Sequence, residues 1–210
     1  MAQELVKNAT QFARQASKLL STFNVTTDHK DTARCCGYSH IPTRAACVIN
    51  LHDRWADFNR GLLTQSAVGG WSTRASTTLS RASTLGVGED VLTKLRSFQR
   101  GSPPSYWEPR WTIATDFIRA CRQIGIANYA NVSAAIGAVG SPAEELRLSR
   151  NYLAHRKAST AINAVSVLSR HGATSPLELD KLLISPAAGG VSLFELWVTE
   201  LTIIAFAACD

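Results

Sequence analysis

The stretch Ser141-Pro142-Ala143-Glu144-Glu145-Leu146-Arg147-Leu148-Ser149-Arg150-Asn151-Tyr152-Leu153-Ala154-His155-Arg156 opens with a helix start written in full. A serine hydroxyl accepts from the unpaired N–H groups of a first helical turn. Proline's fixed φ suits the position after it, and a glutamate three residues past the cap can answer the cap's own N–H. The pattern predicts a helix from Pro142 to about Arg170, with Gly172 as its stop. Ser175-Pro176-Leu177-Glu178 repeats the arrangement, and Ser192-Leu193-Phe194-Glu195 is a third capping box without the proline.

Outward from this stretch the helical period continues. Phe12, Ala16, Leu19 and Phe23 recur at helical spacings after Leu5, and Val48, Leu51, Trp55, Phe58 and Leu62 form a stronger stripe after Pro42. Trp111, Ile113, Phe117 and Ile118 open another helix that ends near Gly125. Leu193 to Ala208 is the most apolar stretch; it carries Glu195 and Glu200 and reads as a buried helix too short for a bilayer. Between the helices, Asn24 to His40 reads as a connecting loop and Gly101-Ser102-Pro103-Pro104 as a break. Gly69 to Thr84, rich in Ser, Thr and Gly, reads as a mobile loop with little structure of its own. No alternating run with hairpin punctuation appears, so no strand is required. The expectation is one all-α domain over residues 1–210, a helical bundle without internal repeats.

Composition agrees. A chain of 210 residues, 45% hydrophobic and 18% charged, can bury a core and is not a disordered segment. The net charge of +6 favours polyanionic partners without deciding for them. The cysteines (Cys35, Cys36, Cys47, Cys121 and Cys209) are odd in number and lack the spacing of a disulfide framework or a zinc site. They read as reduced, packed thiols. Met1-Ala2-Gln3-Glu4 is not the start of a secretory signal, so a cytoplasmic protein with no membrane segment is expected.

Chemistry concentrates on the quoted helix. At roughly 100° per residue, Asn151 and His155 share one face, with Arg147 a turn earlier. Arg150 points roughly 140° away from His155, so the two meet only through a local distortion, the reach of the arginine, or a second copy across a dimer. An imidazole moves protons near neutral pH, a guanidinium fork stabilises charge growing on a phosphoryl group, and an amide orients either of them. The grouping suits phosphodiester chemistry.

Arg150-Asn151 followed by His155 on a helix of a small bundle resembles the HEPN superfamily, whose active members are metal-independent endoribonucleases. The family pattern is an arginine, four to six residues, then a histidine, often with a polar residue directly after the arginine; Arg150, Asn151 and His155 fill those positions. The layout is also similar: a well-formed earlier helix (Arg44 to Leu63), the motif helix, and a closing apolar helix containing Trp197. Prokaryotic stand-alone proteins of the RiboL-PSP-HEPN type share it. An arginine-then-histidine match at that spacing is expected about once by chance here, and Arg34 to His40 is another; the string with asparagine has an expectation of about one in a hundred.

The resemblance implies an all-α HEPN-like bundle with additional peripheral helices, acting on RNA as a homodimer with two motif copies in one cleft. His155 would move the proton of the 2′-hydroxyl or of the leaving oxygen, Arg150 would bind the scissile phosphate, and Asn151 would position one of them. The product would be a 2′,3′-cyclic phosphate, with no metal and no cofactor. A role as a toxin, with an antitoxin or regulatory partner, or as an anti-phage defence effector follows by analogy. Arg147 and Asp53 are supporting candidates, Asp53 from His52-Asp53-Arg54 on the Trp55 helix.

Other readings stay open. Arg150 and His155 also fit a solvated helix face, and the same fold can serve as a non-catalytic module binding a protein or nucleotide. His29 and His171 stand alone and read as exposed. Trp107 and Trp111, around Pro109-Arg110, can stack on bases but fit core packing or a loop anchor better.

Overall fold

The computed structural model describes residues 3–26, 41–98, 108–137, 142–172, 175, 183 and 191–210. Loop residues His29, Cys35, Cys36 and His40, the break at Gly101–Pro104, Trp107, the Ser141 cap and most of the Ser175 box lie outside them. The fold is all-α, as the periodicities predict. Its helices are α1 (Val6–Val25), α2 (Ile41–Val68), α3 (Val91–Ser97), α4 (Ala114–Ile124), α5 (Tyr129–Gly137), α6 (Pro142–His155), α7 (Ala158–Leu168) and α8 (Leu193–Ala207). A 3-10 turn, Ser169–His171, follows α7. Among the described residues no helix is long and apolar enough to cross a membrane.

Three expectations need correction. Two short strands exist: β1 (Gln3–Glu4) pairs in parallel with β2 (Trp71–Ser72), Gln3 opposite Trp71 and Glu4 opposite Ser72. The Gly69–Thr84 segment therefore has structure of its own, with Ser72 bridging Thr78 and the side chains of Leu79 and Ala82 buried. The long helix expected from Pro142 to Arg170 is broken after His155. Arg156 takes a left-handed conformation (φ 49) while its N–H still bonds Tyr152 O at 2.8 Å, and its guanidinium lies 5.2 Å from the Tyr152 ring centroid. Lys157 is extended and caps α7, its N–H donating to Thr160 Oγ1 at 3.2 Å. No glycine or proline marks the break, so the local caps carry it. Gly172, at φ 85, ends the following 3-10 turn.

The chain gathers into two compact units, each drawn from separate stretches. One comprises Met1–Phe12, Trp55–Gly140 and Ile203–Asp210. Its aromatic centre is Phe12, Trp55 and Phe58, with Trp55 edge-on to Phe12 at 5.5 Å and stacked on Phe58 at 5.3 Å. Asn8 Nδ2 donates to Phe58 O at 3.1 Å across Gly61, where an added Cβ would lie 3.0 Å from that nitrogen. Trp111 is a loop anchor: its indole N–H donates to Glu108 (2.9 Å) and its carbonyl accepts from Asn59 (2.7 Å). Cys121 and Cys209 are buried here, and burial pushes the Cys209 thiol up to about 12.

The other unit comprises Ala13–Arg54 and Ser141–Thr202. Phe23 of α1 stacks on Phe194 of α8 at 4.5 Å. Arg44 ties α2 to the end of α1, bonding Thr26 O at 2.7 Å and Thr26 Oγ1 at 3.1 Å. Ser192 caps α8 by accepting from Glu195 N at 3.1 Å, as the capping box predicts.

Candidate active site

All five sequence-derived candidates fall in this second unit, on α6 and on the part of α2 that ends at Arg54. Helix α6 is two-faced. Glu145, Leu146, Leu148, Ser149, Tyr152 and Leu153 are buried, while Arg147, Arg150, Asn151 and His155 keep to the wetter arc. The apolar positions recur at helical spacing, which is why the polar ones are left together on the other side.

On that arc Arg147 grips Glu144 with both prongs of its fork, Nε to Oε2 at 2.8 Å and Nη2 to Oε1 at 2.5 Å. The guanidinium holds the Glu144 carboxyl below the usual carboxylate range. One turn on, Arg150 reaches Asn151 Oδ1 through Nη1 at 3.4 Å, a long bond. Its Nε is enclosed and has no hydrogen-bond partner among the described residues. His155 is the last residue of α6 and is exposed. It does not share in the contacts recorded for Arg147, Arg150 and Asn151. The expected position well inside a long helix is therefore replaced by a helix end, next to exposed Arg156 and Lys157.

The residue that the arginines do act on is His52. Its side chain is only 15% exposed, and Nδ1 lies 3.1 Å from Asp53 Oδ1, whose own side chain is 56% exposed. Burial pushes the imidazole below its ordinary value, the Asp53 carboxylate pulls it up, and the charges of Arg150 and Arg147 push it down again. The histidine is thus held neutral near pH 7 by a site that is electropositive and partly dry. Sequence reasoning placed Asp53 here as a support and passed over His52. The signal was its position beside the buried stripe, four residues after Val48 and three before Trp55.

The buried face of α6 carries a second cluster. Glu145 is 3% exposed; its Oε1 takes Arg170, and His171 Nε2 at 3.0 Å, while Oε2 accepts the Trp197 indole N–H at 2.6 Å. His171 is not the solitary exposed histidine that the sequence suggested: its side chain is mostly enclosed against a carboxylate that burial would otherwise strand. Glu200 on α8 feels this carboxylate; burial first, then the Glu145 charge, raises its pKa. This cluster fastens α6 to the 3-10 turn and to α8, which fixes the pitch at which α6 presents its arginines.

Among the described residues no three His, Cys, Asp or Glu side chains gather as a metal-ligand set. Compared with protein-family models, curated proteins and solved structures, the chain matches none.

Proposed function

We propose that the protein is a metal-independent endoribonuclease whose site is built on α6. The observation that carries the reading is the concentration of Arg147, Arg150 and Asn151 on one arc of α6, acting on an enclosed, neutral histidine. Two guanidinium groups can hold a scissile phosphate and the charge that grows on it, and an imidazole neutral near pH 7 can take a proton. Arg150 Nε, enclosed without a partner, is a donor that a phosphate oxygen would satisfy. Arg156 and Lys157, exposed at the α6–α7 corner, extend the positive surface along which an RNA backbone would run.

The Arg150, Asn151 and His155 pattern adds the resemblance to HEPN ribonucleases. It brings the expectations of a homodimer, a 2′,3′-cyclic phosphate product, and a role as a bacterial toxin, with an antitoxin or regulator, or as a defence effector. One observation favours a second reading, a non-catalytic module that binds a nucleotide or protein: His155 is exposed at the helix end, apart from the recorded contacts of the arginines.

The test is cleavage of total RNA in EDTA by wild type and by Arg150→Ala. Wild type is expected to leave cyclic-phosphate ends, and the variant to be slower by about 100- to 1,000-fold, the usual loss for one donor to a developing oxyanion. Cleavage that requires added divalent metal, or none at all by folded wild type, would move the assignment to the binding module.

A further inference from the structure

We propose that His52, held through Nδ1 by Asp53 and standing beside the arginines of α6, is the catalytic residue that takes the proton from the RNA 2′-hydroxyl. The proposal rests on the ribonuclease reading and assigns within it a role that the sequence motif gave to His155.

The two histidines differ in what surrounds them. His155 ends α6 in solvent, followed by a left-handed residue, with nothing recorded that fixes its ring. His52 is in the middle of α2, mostly enclosed, its ring fixed by a 3.1 Å bond to Asp53. A carboxylate that accepts from Nδ1–H leaves Nε2 as the basic nitrogen of the ring. The charged groups acting on that ring are Asp53 from its own helix and Arg150 and Arg147 from α6. Positive charge keeps the imidazole unprotonated, ready to accept, and the same charge marks where a phosphodiester would rest. A base is needed within hydrogen-bond reach of the phosphate's neighbouring 2′-hydroxyl, and His52 is the enclosed imidazole on which the arginine pair acts.

The step balances without a co-reactant. The Nε2 lone pair of His52 takes the 2′-hydroxyl proton, and the 2′-oxygen forms a bond to the adjacent phosphorus. The P–O5′ bond breaks, and its electron pair leaves on the 5′-oxygen, which takes a proton from solvent or from His155. The products are a 2′,3′-cyclic phosphate and a 5′-hydroxyl; the His52 imidazolium then returns its proton to water. Asp53 is a positioning residue that acts through the His52 ring.

The experiment is the pH dependence of kcat/KM for RNA cleavage in EDTA, with wild type, His52→Ala, His52→Gln, His155→Ala, Asp53→Asn and Arg147→Gln compared. Wild type is expected to gain activity with pH along a limb lying below the ordinary histidine range. His52→Ala and His52→Gln should each lose on the order of 100- to 10,000-fold and abolish that limb, while His155→Ala retains it. Asp53→Asn removes the upward pull and moves the limb to lower pH; Arg147→Gln removes a downward push and moves it to higher pH. A packing role for His52 would shift neither limb. If wild type cleaves and folded His52→Gln keeps both rate and limb, His52 is not the base and the ribonuclease reading stands. If folded wild type cleaves nothing at any pH, both fall together.

Discussion

Glu145 Oε2 accepts the Trp197 indole N–H at 2.6 Å on the buried face of the helix that carries Arg147, Arg150 and Asn151. The bond is charged, enclosed on both sides, and links α6 to α8 within one unit. Hydrogen bonds to charged groups contribute about 1.5 to 3 kcal/mol, and a buried donor left without its partner costs a similar amount. The Arg147–Glu144 pair on the other face is partly exposed, and solvent screening makes such pairs worth little. The position of the arginines therefore depends more on the hidden glutamate than on the visible one.

The pair can be measured by a double-mutant cycle in urea denaturation. Glu145→Leu and Trp197→Phe should each destabilise the protein, and their coupling should be about 1 to 3 kcal/mol. Additivity to within about 0.5 kcal/mol would show that the bond contributes nothing of its own.

The segment after α2 offers a sharper contrast. Gly69 and Gly70 are both left-handed, at φ 72 and 75. A Cβ on Gly69 would fall 2.4 Å from Arg81 N, whereas one on Gly70 meets nothing within 4 Å. Gly70→Ala should cost about 1 kcal/mol, the ordinary penalty of that conformation. Gly69→Ala carries the same penalty and must also displace backbone, which adds at least about 1 to 3 kcal/mol. Equal losses in urea denaturation would mean that the Arg81 backbone is not packed there.

These glycines also show where sequence reading stops. Helix starts such as Pro142 and Ser192 were legible because capping is settled by residues within one turn of each other. The αL stop at Gly125 was legible for the same reason. The Gly69–Thr84 segment looked structureless because its order comes from pairing with Gln3 and Glu4, and from burial of Leu79, which no local pattern announces. The break at Arg156 was hidden because an arginine adopts the conformation expected of glycine. At the candidate site, the arginine, asparagine and histidine on α6 were visible as a string. His52 was not, because its importance comes from charges brought in by a helix remote in sequence.

That environment has a consequence that needs no substrate to observe. The folded state holds the His52 imidazole below its ordinary value, by burial first and then by the charges of Arg150 and Arg147. Below about pH 6.5 the unfolded chain therefore binds this proton more readily than the folded one. Stability from His52 is complete above that pH and is lost as pH falls through the lower folded value. Glu200 works in the opposite direction, since its raised pKa makes the folded state the better proton binder in the acid range. The total pH profile mixes the two, so the informative quantity is the difference between wild type and His52→Gln. From about pH 7.5 to about pH 5, wild type should lose more unfolding free energy than His52→Gln, and Arg147→Gln should fall between them. Parallel profiles for all three would mean that the α6 arginines do not act on His52, and the catalytic assignment would lose its foundation before any RNA was added.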